Sequence, residues 1–237
     1  RSSSYMTNET LASTTIRILR QPFVMKIGYD LHGLTVTGMR YLMVAKAIED
    51  GKIECRIESS IKPKSDDELA PDTSIVAQYR ASENAMIFPR ENYGLFSGSE
   101  ERTIFHEATH AIFDVFAKSL DDRTLGIEDE AAAVLAEAHY VRLSPKPAGN
   151  FAMWIDGPQD KALKLVDKMM AETGDFERNK RTYFLQPPQT KELRDAVAQD
   201  WHFVKFIDAQ GRPTDSTGVQ YIYDGVVKCY SCWVHGH

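Results

Sequence analysis

The sequence predicts an α+β fold, in which a small N-terminal mixed sheet packs on one buried helix and the C-terminal half is mainly helical. Two observations carry this. Short apolar or alternating runs, bounded by Pro, Gly and charged clusters, precede residue 90, whereas segments with helical periodicity dominate after it. A helix from Ser97 to about Leu120 is apolar on several faces, with Phe105, Ala108, Ile112 and Phe116 on one and Ile104, Ala111 and Val115 on another, which places it inside the molecule. A chain of 237 residues that is 43% hydrophobic can bury one sizeable core. Arg1 to Thr15, rich in Ser and Thr, reads as a disordered leader or an appended remnant, leaving 16–237 as a single domain.

Within that domain 16–120 holds the sheet and the buried helix. Ile16–Leu19 and Phe23–Ile27 read as short strands interrupted by Pro22. Thr37 to Asp50 reads as a helix burying Met39, Leu42, Met43, Ala47 and Ile48, stopped by Gly51. Ile53–Ile61 alternates, with Ile53, Cys55 and Ile57 inward, and the charged, proline-containing Lys62–Asp72 is a surface loop. Ser74–Tyr79 and Asn84–Phe88 are two more strands, the second ended by Pro89. Ser97 offers a helix N-cap, with Glu100 and Glu101 in the first turn where the helix dipole favours acids. The helical part, 121–205, contains Glu128–Leu143, Pro158–Glu172 and Thr190–Trp201. Short strands such as Val219–Tyr223 and a Cys/His tail fill 206–237.

Charge and composition exclude several functions. A net charge of −6, a pI near 5.7 and the lack of a basic stripe argue against nucleic acid as a partner. No apolar run approaches the roughly 18 residues of a membrane helix. Three cysteines do not describe a disulfide framework, and a reducing, cytoplasmic location is the expectation. The oligomeric state is not legible.

The chemistry concentrates at His106-Glu107-Ala108-Thr109-His110, which reads HExxH. Histidines four apart on a helix stack on successive turns and can present both imidazoles to one ion. The glutamate after the first histidine lies within reach of a metal-bound water. Two histidines leave a catalytic ion short of protein ligands, and Gly126-Ile127-Glu128-Asp129-Glu130-Ala131-Ala132-Ala133 supplies acids. Glu128 and Glu130 project about 160° apart, so only one can face the motif helix.

In these two stretches, from Asn84 to about Val141, the chain resembles the zincin metallopeptidases, specifically the gluzincin branch. The resemblance implies a zincin-like catalytic domain, one catalytic Zn2+ and a peptide or protein substrate. It also implies that Glu130, twenty residues after His110, is the third ligand with His106 and His110. Glu128 and Glu137 are the alternatives, and Glu137 also suits an acceptor for a ligand imidazole N–H. His139 points away from Glu130 and reads as an ordinary helix histidine. His106, His110 and Asp114 span about 12 Å along one helix, too far to converge on one ion. Asp114 is thus either a hydrogen-bond partner of His110 or a polar helix residue.

Zinc would lower the pKa of a bound water, and Glu107 would act as general base. The family also uses a transition-state stabiliser from elsewhere in the chain; Tyr140 and Tyr223 are candidates, beside Tyr183, His202 and Tyr221. In zincins the strand before the motif helix lines the cleft, a role that falls to Ala85, Met86 and Ile87, unless these form an internal strand. A second, structural ion at Cys229 and Cys232, with His235 and His237 nearby, competes with an ordinary tail. Trp154, Tyr183-Phe184 and Trp201-His202-Phe203 are expected to pack the helical half. Two other functions share the motif: a catalytically silent zincin-fold binding or regulatory module, and a metal-dependent hydrolase of non-peptide amides or esters.

Overall fold

The computed structural model describes residues 10–58, 77–118, 122–147, 156–173, 182–199, 220–223 and 225–226. Its architecture is α+β: six α-helices and two three-stranded mixed sheets, with a two-stranded ribbon, among the described residues. The Cys229–His237 tail, Trp154, Trp201, His202 and the Lys62–Asp72 loop lie outside them.

Helix α1 (Leu11–Leu19) replaces the first expected strand and takes in the last residues of the expected leader, whose residues 1–9 lie outside the described ones. Thr10 caps it by accepting from the Ser13 N–H at 3.2 Å, and Leu11, Thr14, Thr15, Ile18 and Leu19 form a buried helical stripe. Two threonines in that stripe gave the segment its loop-like composition, yet their methyl groups serve the core. Pro22 does not break a strand. It opens a 3₁₀ turn (Pro22–Lys26), its fixed φ suiting a first helical position. Strand β1 (Gly28–Leu31) follows and pairs antiparallel with β2 (Leu34–Thr37) through a turn in which His32 and Gly33 both take positive φ.

Thr37 caps α2 (Gly38–Glu49) by accepting from the Arg40 N–H at 3.3 Å. Gly38 is required by close approach: a Cβ there would lie 2.6 Å from Met25 Cα and from the Val24 carbonyl. The buried face of α2 is Tyr41, Val44, Ala45, Ala47 and Ile48, so the helix is rotated from the expected stripe and Met39 and Met43 are exposed. Strand β3 (Glu54–Ile57) is short; Ile53 is buried just before it, whereas Ile57 faces solvent. The second sheet has the order β3-β5-β4, with β5 (Ala85–Phe88) parallel to β3 and antiparallel to β4 (Gln78–Arg80).

Helix α3 (Gly98–Val115) carries the HExxH motif and ends earlier than expected, at Phe116. Glu101, in its first turn, is wholly buried, where it accepts from the Tyr140 hydroxyl at 2.8 Å and the Gln21 amide at 3.0 Å and pairs with Lys146. Strand β6 (Asp122–Leu125), which periodicity did not mark, leads into α4 (Gly126–Leu143) and pairs antiparallel with β8 (Gln220–Tyr223). Helices α5 (Pro158–Thr173) and α6 (Pro187–Gln199) complete the helical half. Between them β7 (Tyr183–Leu185) runs parallel to β1, so the first sheet, in the order β2-β1-β7, joins distant parts of the chain. In the core α3 packs between α2 and α4, and α4 packs on α5 and α6. No helix among the described residues is long and apolar enough to cross a membrane.

Candidate metal centre

The centre lies between α3 and α4. Helix α4 has a run of buried alanines (Ala131, Ala132, Ala133, Ala136 and Ala138), small enough for α3 to approach closely. Across this contact His106, His110 and Glu130 converge, each offering a ligand atom within 4.8 Å of the others. Glu130 Oε2 lies 3.2 Å from His106 Nε2 and 3.8 Å from His110 Nε2. Tetrahedral zinc, with ligand bonds of 2.0–2.1 Å, sets neighbouring ligand atoms about 3.3 Å apart. The three side chains therefore fit a metal ion in both donor type and spacing.

The opposite nitrogen of each imidazole is held by a carboxylate. His106 Nδ1 meets Glu137 Oε1 at 2.6 Å, and Glu137 Oε2 forms an ion pair with Arg102 Nε at 3.0 Å. His110 Nδ1 meets Asp129 Oδ1, whose other oxygen accepts from the Tyr223 hydroxyl at 2.7 Å. With Nδ1 as the donor in both rings, each Nε2 directs its lone pair at the Glu130 side, the tautomer a metal ligand needs. The two rings sit 5.0 Å apart, as successive helical turns dictate.

Electrostatics favour a cation here. Burial opposes the His106 imidazolium, but hydrogen bonds to Glu130 and Glu137 and the charges of Glu137 and Glu107 outweigh it, raising its pKa well above the ordinary histidine value. His110 moves the same way: burial lowers its pKa, and Asp129 more than restores it. Burial raises the Asp129 carboxyl, with His110 and Tyr223 pulling back. The negative charge that favours a proton here would favour a metal cation too, which would displace the protons from the two Nε2 atoms.

Glu107 stands beside the ligands and is oriented from the sheet. Its Oε2 accepts from the Tyr79 N–H of β4 at 2.7 Å. Burial raises its pKa above the usual carboxylate range, and the neighbouring histidines and the Tyr79 N–H offset this in part.

Other sequence expectations are redistributed. Glu128 turns away from the ligands, its Oε1 lying 3.0 Å from His32 Nδ1 and 3.4 Å from Arg194. His32 in turn meets Thr190 Oγ1 at 2.9 Å. Glu137 has the imidazole-holding role, not that of third ligand. The acid facing His110 Nδ1 is Asp129; Asp114 instead accepts from the Tyr79 hydroxyl at 2.6 Å and the Gly225 N–H at 2.9 Å. Tyr140 is no stabiliser of a reacting group: it is wholly buried against Phe23 and Phe105 and donates to Glu101. Tyr223 spends its hydroxyl on Asp129. Ala85, Met86 and Ile87 are fully buried in the central strand of their sheet, so they cannot pair with a substrate; β4 is the outer strand on the α3 side. His139 stacks on Tyr29 with ring centroids 5.0 Å apart, and its Nδ1 meets the Leu135 carbonyl, as suits a core histidine.

Sequence reasoning missed Asp129, Arg102 and Tyr79. Asp129 had a signal, since neighbours on a helix project about 100° apart and can grip two sides of one imidazole. Arg102 lies one turn before His106 on the same helix face. Tyr79 had none, because its contact is made by a main-chain N–H. Comparison of the chain with family models, curated proteins and solved structures finds no match.

Proposed function

We propose that the chain is a zinc-dependent metallopeptidase of gluzincin type, hydrolysing peptide bonds in a peptide or protein substrate with Glu107 as general base. One observation carries the reading: His106, His110 and Glu130 present three ligand atoms within 4.8 Å of one another, beside the half-buried Glu107 carboxylate at the motif position. His106, His110 and Glu130 would hold the ion. Bound zinc lowers the pKa of a coordinated water toward 7 and polarises a carbonyl. Glu107 would take a proton from the water that adds to the peptide carbonyl and would then return it to the amine nitrogen, whose C–N bond breaks after the C–O bond has formed. Arg102–Glu137 and Tyr223–Asp129 keep the two imidazoles in register. As the outer strand next to Glu107, β4 would line the substrate cleft, its Tyr79 N–H engaged by the Glu107 carboxylate.

Elemental analysis and peptide-library digestion of the purified protein test this. One zinc per chain is expected, retained by Glu107→Gln and lost by His106→Ala, with cleavage by the wild type alone. A wild type without stoichiometric zinc refutes the metal reading. Zinc without peptide cleavage refutes the peptidase, leaving a hydrolase of other amides or esters, or a silent binding module.

A further inference from the structure

The contacts of Tyr79 go beyond those of a strand residue. Glu107 has three rotatable side-chain bonds, and a general base must hold one orientation toward the reacting water. Tyr79 restrains it with its main-chain N–H, and that N–H is itself fixed because β4 pairs with β5, Tyr79 opposite Met86. The phenol of the same residue reaches Asp114 Oδ2 at 2.6 Å. Glu107 and Asp114 are two turns apart on one face of α3, so Tyr79 lies along the helix and grips it at both ends. Asp114 is fully buried, and its Oδ1 accepts from Gly225 at 2.9 Å, two residues after Tyr223. Tyr223 holds Asp129, and Asp129 faces the ligand His110. Two hydrogen-bonded runs, Glu107–Tyr79–Asp114–Gly225 and Tyr223–Asp129–His110, thus begin at the Glu107 carboxylate and end at the His110 imidazole, meeting where Gly225 follows Tyr223 by two residues.

We propose that Tyr79, locked by Asp114, is the positioning residue that sets Glu107 relative to the histidine ligands, with the β8 segment closing the brace. This rests on the reading of Glu107 as the base. Tyr79 touches no reacting atom; it acts through the carboxylate it orients. The Asp114 carboxylate is the joint, one oxygen accepting from the phenol and the other from the Gly225 N–H.

Tyr79→Phe and Asp114→Asn test the proposal, the first removing a single oxygen from a side chain that otherwise packs unchanged. In protein prepared without metal, the amide at position 79 is expected to exchange with solvent at least tenfold faster in either variant, while amides in the middle of α3 keep their protection. In protein loaded with Co2+, the pH midpoint of the visible absorption, which reports ionisation of the metal-bound water next to Glu107, is expected to move by at least 0.3 in Tyr79→Phe. Zinc affinity by chelator competition stays within threefold. Unchanged amide exchange together with an unchanged cobalt midpoint overturns the proposal. So does a general loss of protection across α3, which marks Tyr79 as a packing residue only. A wild type that binds neither Co2+ nor Zn2+ overturns the metallopeptidase reading instead, and amide exchange alone then decides whether Tyr79 restrains Glu107.

Discussion

Tyr223 donates its phenolic proton to Asp129 Oδ2 at 2.7 Å, joining residues 94 positions apart on the buried side of the centre. Asp129 accepts this bond while its other oxygen fixes the His110 ring. Outer acceptors of this kind typically contribute 10–100-fold to metal affinity. Asp129→Ala should weaken zinc binding by about that factor, and Tyr223→Phe by less, because Tyr223 acts on the His110 ring only through Asp129. Competition with a chromophoric chelator measures both. Equal affinity in Asp129→Ala and wild type would remove Asp129 from the centre.

Glu107→Gln separates binding from chemistry. The amide keeps the size and can still accept from the Tyr79 N–H, so zinc content and fold should be unaltered. Loss of the base should lower kcat by about 10²–10⁴ with little change in KM. A Glu107→Gln protein that turns over like wild type would assign the proton transfer elsewhere.

His139 makes stability pH-dependent. Burial pushes its pKa down to about 4, partly offset by the Leu135 carbonyl. The unfolded-chain value is about 6.5, so on acidification the unfolded state takes up the proton first. The contribution of neutral His139 is complete above about pH 6.5 and is lost as pH falls toward 4, a change of about 3 kcal/mol. Urea denaturation of wild type and His139→Phe at pH 7 and pH 4.5 tests this. The phenyl ring can keep the stack on Tyr29, and the wild type should lose more stability than the variant over that interval. Parallel losses would show that His139 does not titrate on unfolding.

Tyr140→Phe should leave zinc content and turnover unchanged and lower stability by about 1–3 kcal/mol, since it deprives buried Glu101 of one of its donors. A large fall in kcat at unchanged stability would return Tyr140 to the chemistry.

The helices after α1 and the histidine pair were legible because they are written in local periodicity. His106 and His110 share a face by spacing alone, and Glu130 lies on the next buried helix. What escaped is what local pattern does not encode. The stripe in α1 runs through Thr14 and Thr15, which read as loop composition although both are buried. The buried face of α2 is carried by Tyr41 and Val44 rather than by Met39 and Met43, a choice made by the neighbours that pack on it. Strands β6 and β7 are three or four residues long and gain their identity from partners far away in the chain. Which strand lies at the sheet edge depends on pairing order, so the substrate strand fell on the central β5 and the outer β4 was overlooked. The same holds for Asp129 and Asp114, two acids whose roles depend on where Tyr223, Tyr79 and Gly225 arrive.

The arrival of Tyr223 has a consequence for the birth of the protein. When Asp129 is joined to the growing chain, the residue that steadies it is still 94 positions from being made. At 5–20 residues per second, translation needs about 5–20 s to supply it. Through that interval His106, His110 and Glu130 can already be present on their helices, but the nascent chain lacks the strand that finishes the centre. Assembly of the centre is therefore complete only after the segment that carries Tyr223 has been synthesised.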